Sequence, residues 1–424
     1  MKILFVSASP IKKELSIGNT FLNLFKDMKD VELASICTRN GIPDPKISKC
    51  FCITEKMIIN NILKKTPVGA EVYKSEHVSK TAKKEEKVVN FAKKFRFTLF
   101  FWIQDLIWKI GRWKSPELER FVKEYNPDII FTLLSNSVFL NNLILHIVKL
   151  TNKKLVLYAW DNNYSLKRFM FSPLRWIKLF IDRISMKKLV NKASIFYVIS
   201  NIQREEYERI FNKPCKVLTK FLDFTDAPPV KTEYNEPLQL VYTGNIGTNR
   251  WRTLSLIADA LKEINKDSIK AQLRIYTASQ ITQQMSKNLN VQDSSFIMGS
   301  LTSKEVAEVQ KNADILVHVE GFDLKFRCAL HQSFSTKLVD YFKEARTILA
   351  IAPYDVASID ELKRHDGAIV ITNKADILIK LKQILNDKAL LDEYSRKAYY
   401  CGQKYHSKEI METILMNDLN IFEI

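Results

Sequence analysis

The chain has 424 residues, and its 65 lysines and arginines outnumber its 47 aspartates and glutamates, so the formal net charge is +18. That length exceeds what one average hydrophobic core serves, which predicts two domains, and an apolar fraction of 46% argues against a disordered chain. The charge predicts an anionic partner: a nucleic acid, an acidic membrane surface or a phosphorylated substrate.

The sequence shows no secretory signal and no candidate transmembrane helix. The apolar run Met1–Ser7 soon meets Pro10 and two lysines, which is too early for a signal peptide. No stretch reaches the roughly 18 uncharged apolar residues that a membrane span requires. The six cysteines are scattered and predict free thiols in a reducing cytosol. A cytoplasmic location is therefore expected.

The first elements have βαβ character. Lys2–Ser7 reads as a buried strand, and a polar loop that contains Gly18 follows it. A helix is expected from about Thr20 to Met28, and a second strand at Val31–Ile36. This alternation predicts a parallel, doubly wound sheet of the Rossmann type.

Three further strands are predicted in the first half of the chain. Asp128–Leu133, Lys154–Trp160 and Ser194–Ile199 are β-rich runs, and Asp161 and Ser200 come directly after two of them. Ligands bind beyond the carboxyl ends of strands in open α/β sheets. Asp161 is therefore a candidate site residue, although a helix cap or an Asx-turn explains it nearly as well.

Residues 91–113 and 164–192 interrupt this alternation. Both segments are rich in Phe, Trp, Leu and Ile, and the second also carries many lysines and arginines against the lone Asp182. Basic helices with such aromatic content lie well in an anionic membrane interface. Alternatively, the aromatic residues belong to the core and the basic residues form a solvated face. Two such segments in one domain favour the membrane.

Residues 226–237 break the pattern. Pro228 and Pro229 continue neither a helix nor a central strand, so this stretch is predicted to link domain 1–225 to a second domain that begins at residue 238. Alternation then resumes with the predicted strands Leu238–Thr243, Gln272–Thr277, Ser295–Met298, Ile315–Val319, Thr347–Ile351 and Ala368–Ile371. Two successive α/β units predict two lobes that face a central cleft.

The segment Ser335–Phe342 combines a polar loop with a helix. Ser335 and Thr336 can cap the helix, and Lys337 lies in its first turn with Asp340 one turn later. A cation beside exposed backbone N–H groups suits a diphosphate, and a carboxylate suits the hydroxyl groups of whatever the diphosphate carries. The combination predicts a nucleotide-sugar pocket.

The second half of the chain resembles a known family. Leu240–Leu261 (LVYTGNIGTNRWRTLSLIADAL), Phe296–Val319 (FIMGSLTSKEVAEVQKNADILVHV) and Ser335–Pro353 (STKLVDYFKEARTILAIAP) resemble, in order and spacing, bacterial retaining glycosyltransferases of the GT-B fold, the group often called family 4. Ala389–Leu415 resembles the closing helices of that family. The resemblance implies a nucleotide-sugar-binding domain at 238–404 and a helix in 405–424 that crosses back to the first domain.

The resemblance implies that Lys337 contacts the diphosphate together with a basic residue after the glycine loop, either Arg250 or Arg252. Without a metal, cations and backbone N–H groups must stabilise the negative charge on the departing diphosphate. Gly244 and Asn245 would let their loop approach the phosphate closely, although an ordinary βα turn also explains them.

The paired acids of the family are altered in this chain. Asp340 matches the second acid, which binds donor ribose hydroxyls, whereas the first acid falls at Gln332. Glu320, which precedes Gly321-Phe322, is similar to the family's E-G-F-G and is either a sugar contact or an ordinary surface residue. Residues 323–334 read as a variant or inserted loop.

The resemblance implies further site positions. Asp161 matches a residue near the acceptor hydroxyl, Gly18 matches the first-domain loop that faces the diphosphate, and Ser300 and Leu301 would offer backbone atoms to the nucleotide base. A plain helix start also explains Gly18. The six histidines lack metal-ligand spacing, so no metal site is predicted, and His318 alone is expected near the cleft.

We therefore expect a bacterial retaining glycosyltransferase that uses a UDP- or GDP-linked sugar as co-substrate, with no cofactor and no required metal. Its expected acceptor is a lipid-linked or polysaccharide glycan of surface-polysaccharide synthesis, met at the inner face of the cell membrane. A catalytically degenerate partner of an active transferase is the alternative, because Gln332 replaces an acid. A nucleic-acid-binding protein ranks below both, since no RNP, helix-turn-helix or zinc pattern occurs.

Overall fold

The computed structural model describes residues 1–13, 16–28, 30–72, 98–226, 231 and 233–420. In these residues the chain forms two α/β domains, each built on a mainly parallel sheet. The two doubly wound sheets that the sequence predicts are confirmed. Residues 91–97 of the first aromatic segment, and 227–230 and 232 of the predicted linker, lie outside the described residues.

The first domain contains an eight-stranded sheet. Its strands are β1 (Lys2–Ser7), β2 (Glu32–Cys37), β3 (Ile47–Cys52), β4 (Ala70–Glu71), β5 (Ile129–Leu133), β6 (Lys154–Ala159), β7 (Ile195–Val198) and β8 (Lys216–Val217). They lie in the order β4-β3-β2-β1-β5-β6-β7-β8, and only β4 is antiparallel to its neighbour. The strand order reverses between β1 and β5, which is where such sheets bind ligands.

Helices cover both faces of this sheet because its strands are apolar on both sides. In β1, Ile3 and Phe5 enter one hydrophobic core, and Leu4 and Val6 enter the other. The helices are α1 (Ser16–Leu24), α2 (Glu55–Lys64), α3 (Thr98–Ile110), α4 (Pro116–Tyr125), α5 (Val138–Thr151), α6 (Pro173–Lys192) and α7 (Asn201–Phe211). None of the described helices is long and apolar enough to cross a bilayer.

The second domain contains a six-stranded parallel sheet. Its strands are β9 (Leu238–Thr243), β10 (Ala271–Tyr276), β11 (Ser295–Gly299), β12 (Ile315–Val319), β13 (Thr347–Ile351) and β14 (Ile369–Ile371), in the order β11-β10-β9-β12-β13-β14. Its helices are α8 (Arg250–Ile264), α9 (Gln283–Leu289), α10 (Ser303–Asn312), α11 (Leu324–Leu330), α12 (Lys337–Lys343), α13 (Ala357–Arg364), α14 (Ile377–Leu385) and α15 (Lys388–Tyr405), with a 3-10 turn at Lys374–Asp376.

A final helix, α16 (Lys408–Asn420), lies on the first domain. Asp418, which is buried, accepts a hydrogen bond of 2.8 Å from the Tyr197 hydroxyl and pairs with Lys216. Lys408 forms an ion pair of 2.7 Å with Asp27. The chain therefore crosses between the domains twice, and the two crossings pair as a short parallel bridge between Leu222 and Ser407.

A buried histidine joins the two domains beside these crossings. The His406 ring stacks between Phe334 and Phe342, with ring centroids 5.4 and 5.3 Å away. Its Nε2 lies 3.2 Å from Glu361 Oε1, and its Nδ1 lies 3.3 Å from the Thr219 hydroxyl. Because these contacts come from both domains, they hold the mutual orientation of the two sheets around the cleft.

The predicted strands are all present, with ends that shift by one or two residues. Ile47–Cys52, Ala70–Glu71 and Lys216–Val217 are strands that sequence analysis missed. Two of them are only two residues long, and the first carries exposed Ser48 and Lys49, which interrupt the apolar pattern. Ala70–Glu71 and Lys216–Val217 lie at the two edges of the sheet, where a short strand forms because its neighbour offers free backbone groups, which no local sequence signal reveals.

Candidate functional site

The loop after β9 brings backbone close to Lys337. Gly244 has φ of +132°, a conformation that residues with side chains rarely adopt, and its N–H donates to Tyr276 O over 2.9 Å. A Cβ placed on Gly244 would lie 3.5 Å from Lys337 Nζ. That distance is an ordinary van der Waals contact, so the positive φ of the turn is what requires glycine, and the approach of a phosphate to this loop stays a prediction.

Lys337 begins helix α12, and aromatic rings surround its ammonium. Nζ lies 4.1 Å from the centre of the Tyr242 ring and 5.5 Å from that of Tyr341. The side chain retains some solvent access, but desolvation and the positive charge of Arg250 lower the pKa of Lys337 to about 7. An anion bound here would restore the positive charge, so the site favours negatively charged ligands.

Arg250 and Arg252 lie in different environments. Arg250 makes a bidentate pair with the Glu320 carboxylate, at 2.7 and 3.0 Å, and Glu320 is 2% exposed. Arg252 is exposed and lies 3.5 Å from Asp323. Since the charge of Arg250 acts on the pKa of Lys337, Arg250 belongs to the cluster around Lys337, whereas Arg252 points away from it.

Glu320 and His318 come from the end of β12. His318 is fully buried, with Nε2 3.2 Å from the Ser358 hydroxyl and 4.0 Å from Glu320 Oε1. Desolvation, together with the charges of Lys337 and Arg250, holds the pKa of His318 well below its ordinary range, so the ring is neutral. The sequence left two interpretations open for Glu320, a sugar contact or an ordinary surface residue. Its burial in this cluster excludes the surface role.

The Ser335–Asp340 segment differs in detail from its prediction. The structure gives neither Ser335 nor Thr336 a side-chain hydrogen bond that caps α12, so that expectation was wrong. The backbone carbonyls of both residues instead accept from Leu338 and Val339 at 3.0 and 3.3 Å. The segment is therefore held by main-chain turns, and its hydroxyl groups are not used up by the helix.

Asp340 faces the first domain. Its Oδ1 accepts a hydrogen bond of 2.5 Å from Lys220 Nζ, a residue that follows β8. Both side chains are about one-third exposed, at 31% for Lys220 and 38% for Asp340, so a ligand can still reach the carboxylate. Asp340 lies close enough to influence the pKa of Lys337, which places a carboxylate beside the cationic cluster.

Gln332 does not occupy the position of a missing acid in the cluster. It is fully buried, its backbone carbonyl accepts 2.9 Å from the Ser200 hydroxyl, and its Oε1 lies 3.4 Å from Gln203 Nε2. Those partners belong to the first domain. Residues 323–334 form α11 and then reach across the cleft, where Asn162 donates to Cys328 O over 2.9 Å. This loop explains the long spacing between Glu320 and Asp340.

A pocket of about 310 Å³ adjoins the cluster at the ends of β9, β10 and β11. It is lined by Thr243, Gly244, Asn245, Tyr276, Thr277, Ala278, Ser279, Leu301 and Val306. Leu301, which the sequence predicts to contact the base, lines this pocket, and the exposed Ser300 precedes it. Pockets of this size hold small planar or sugar-sized groups. The pocket and Lys337 share the wall formed by Gly244.

Two predicted residues come from the first domain. Asp161 follows β6, and Ser333 of the second domain lies 3.5 Å from its Oδ1. The residue is exposed, yet desolvation by neighbouring atoms raises the pKa of its carboxyl. Gly18 is buried, and a Cβ there would lie 2.1 Å from Lys12 O. Gly18 therefore serves the packing of the loop after β1 onto α1.

Sequence analysis missed two neighbours of the cluster. Tyr242 lies beneath Lys337, and its hydroxyl donates to Asn245 O over 2.7 Å, which holds the glycine loop. Its place two residues before Gly244 was a usable signal. Lys220 gave no signal, because its partner Asp340 is 120 residues away in the sequence.

The described residues contain no group of three or more His, Cys, Asp or Glu side chains that could hold a metal ion. What they bring together is two cations, two carboxylates and a neutral imidazole at the carboxyl ends of β9 and β12. This arrangement can bind a phosphorylated ligand with hydroxyl groups.

No protein-family model and no curated protein matches the chain. Solved structures do match it along nearly the whole length of both chains. Anabaena HepE in complex with UDP has a TM-score of 0.65 at 11% identity, covering 99% of this chain and 100% of that one. Sucrose-phosphate synthase from Thermosynechococcus elongatus has a TM-score of 0.62 at 11% identity, with 98% and 97% covered.

TarM is a third match, with a TM-score of 0.62 at 12% identity and coverage of 99% of this chain and 98% of that one. The chain therefore has the GT-B fold of glycosyltransferases, as the resemblance predicted. Identities this low establish the architecture alone. The chemistry of this chain has to be argued from its own residues.

Proposed function

We propose that the protein is a retaining glycosyltransferase that moves a sugar from a UDP- or GDP-linked donor to a lipid-linked or polysaccharide glycan acceptor in bacterial surface-polysaccharide synthesis. The observation that carries the proposal is the cluster of Lys337, Arg250, Glu320 and Asp340, which lies beyond the carboxyl ends of the central strands β9 and β12. It occurs in a GT-B fold, beside a pocket of nucleobase size.

Charge supports the assignment of roles within the donor site. Sugar transfer places negative charge on the departing diphosphate, and fixed cations in a poorly solvated site stabilise that charge strongly. A Cβ on Gly244 would lie 3.5 Å from Lys337 Nζ, and Arg250 Nη1 donates to Asn245 O over 3.4 Å, so both cations reach the glycine loop. We assign the ribose hydroxyls to Asp340, the base to the pocket lined by Leu301, and the orientation of the acceptor hydroxyl to Asp161.

Aromatic surfaces support a location at the inner face of the cell membrane. Helix α3 exposes Leu99, Phe101, Ile103, Leu106 and Ile110, and Phe171 before α6 is 82% exposed. The basic residues of segment 164–192 differ in exposure. Lys187 and Lys188 are exposed, whereas Lys178 is buried between Asp105 and Asp182. The predicted surface at 98–113 and 164–192 is thus apolar and modestly cationic, which suits an anionic lipid interface.

A screen of UDP- and GDP-linked sugars for hydrolysis, run with EDTA and with added Mg²⁺, tests the function. We expect one donor class to be hydrolysed at equal rates in both conditions, with retention of anomeric configuration seen by NMR. Complete inhibition by EDTA would contradict the metal-free assignment. Absence of hydrolysis with every donor would reject the transferase.

Replacing Asp340 with asparagine is expected to weaken binding of the nucleoside diphosphate about tenfold, because a charged acceptor for the ribose hydroxyls is lost. The 2′,3′-dideoxy nucleotide should bind the wild type and the variant equally in calorimetry. Asp259→Asn, at an exposed position on α8, is the matched control and should change neither affinity. An equal loss for both nucleotides would remove Asp340 from the ribose site.

The double change Lys187→Glu and Lys188→Glu is expected to reduce binding to phosphatidylserine vesicles at least 30-fold, since each lysine near such a surface contributes about 1 kcal/mol. Flotation at low and high salt measures this. The control is Lys262→Glu with Lys270→Glu, which reverses the same charge on the second domain. Equal losses in both double variants would mean that the protein has no specific membrane face.

A degenerate partner protein is the second candidate, because Arg250 already satisfies Glu320 and because Gln332, which bonds to the first domain, adds no acid to the cluster. Calorimetry with UDP and GDP separates the two, since a protein without a donor site binds neither nucleotide. A nucleic-acid-binding role stays the lowest alternative, and salt-sensitive RNA binding without vesicle binding would favour it.

A further inference from the structure

A large groove lies on the outer face of the first domain, between α3, α5 and the middle of α6. Its volume is about 1090 Å³, and it is distinct from the donor site of the second domain. Trp108 forms part of its wall, stacked on Phe139 at 4.7 Å, with its indole N–H bonded to Glu55 over 2.9 Å. The wall is therefore aromatic and held in place by the core.

Cations surround this apolar groove. Lys109, Arg112, Lys114 and Lys149 line it and are exposed, and no ion pair within the described residues joins them to a carboxylate. The one acid among the lining residues, Asp105, lies 3.0 Å from Lys178, which it shares with the buried Asp182. The groove thus combines an apolar floor with a positive rim, which is complementary to an amphiphile with an anionic head.

The apolar wall and the cationic rim together point to one kind of occupant. A hydrocarbon chain would cover the aromatic wall, and a phosphate group would pair with the rim cations. An amphiphile that carries both groups accounts for the two features at once.

We propose that this groove binds the hydrocarbon chain of a single-chain lipid phosphate, with the phosphate at the cationic rim. The inference rests on the proposed function, for which it specifies the lipid that carries the acceptor. Helix α5 begins at Val138, five residues after β5, so one wall of the groove starts near the cleft edge of the sheet. A chain held there keeps its head group on the acceptor domain.

Calorimetry with octyl, decyl and dodecyl phosphate below their micelle concentrations tests the groove without vesicles. Each buried methylene is worth roughly a fourfold gain in affinity, so each step of two carbons should tighten binding about tenfold or more. Asn142→Trp, which narrows the groove from an exposed position on α5, should abolish the chain-length dependence. Arg112→Glu with Lys114→Glu should weaken every homologue at least tenfold, and Lys262→Glu with Lys270→Glu should not.

Equal affinity for dodecyl phosphate in the wild type and in both groove variants would overturn the proposal. So would absence of binding at every chain length. Thermal unfolding of the same samples checks that the variants fold, and UDP and GDP titrations report on the second domain. If the wild-type protein binds alkyl phosphates but neither UDP nor GDP, the transferase proposal is rejected and the lipid-phosphate groove is retained.

Discussion

Replacing Lys337 with methionine is expected to lower turnover of the responding donor at least 100-fold. The ammonium lies beside Gly244 of the glycine loop, and removing one preorganised charge at a developing anion costs about 10² to 10³ in rate. Methionine fills similar space between Tyr242 and Tyr341, so the fold should persist. Unchanged donor turnover in the variant would remove Lys337 from the mechanism.

The lowered pKa of Lys337 makes the same residue detectable by pH. In the free protein the ammonium loses its proton as the pH rises through about 7. A bound diphosphate raises that pKa, so binding takes up a proton above pH 7, and affinity should fall by up to tenfold per pH unit between 7 and 9. Lys337→Arg keeps its charge over this range and should lose the pH dependence. A nucleotide-sugar donor is the suitable probe, since its diphosphate does not titrate there.

Replacing Arg250 with alanine is expected to lower the free energy of unfolding of the second domain by about 3 to 5 kcal/mol and to abolish turnover. The change leaves the Glu320 carboxylate, 2% exposed, buried without its bidentate partner. Arg252→Ala removes the same side chain two residues along, where it is exposed and pairs loosely with Asp323. That control should lose less than about 1 kcal/mol.

A double variant separates the structural role of Arg250 from its catalytic role. Arg250→Met with Glu320→Leu replaces the buried pair by apolar side chains of similar size, which is expected to restore most of the lost stability. Turnover should remain absent, because the second cation at the diphosphate is still missing. Denaturant unfolding and donor hydrolysis measure the two effects, and recovery of turnover would show that Arg250 acts through stability alone.

Residues that lie near each other in the chain supplied the site candidates that the structure brings together. Lys337 and Asp340 share one helix turn, and Gly244 ends a strand of clear β pattern, so local spacing sufficed to nominate them. The capping role of Ser335 and Thr336 failed, since main-chain turns hold that segment. Local patterns report which backbone conformation is possible, but not which hydrogen bonds the packed protein uses.

Only the tertiary structure distinguishes between candidate residues that are close together in the sequence. Arg250 and Arg252 are equivalent in the sequence, and only the start of α8 against β12 directs the first toward Glu320 and the second to solvent. Lys178 looked like one of several membrane-facing cations, but packing of α3 against α6 buries it with two aspartates. A buried charge requires partners, and although Asp182 lies one helical turn from Lys178, Asp105 comes from the distant helix α3.

The sequence alone determined the two doubly wound domains and the likeness to the GT-B family, and it nominated the residues of the proposed nucleotide site, because hydrophobic periodicity and short motifs encode local structure. The tertiary structure decided which arginine joins Lys337, that Glu320 is buried in the cluster, that Asp340 meets Lys220 of the other domain, and that Gln332 turns away. It also formed the groove between α3, α5 and α6. Each of these depends on contacts between distant segments, whose geometry is set by packing and not by spacing along the chain.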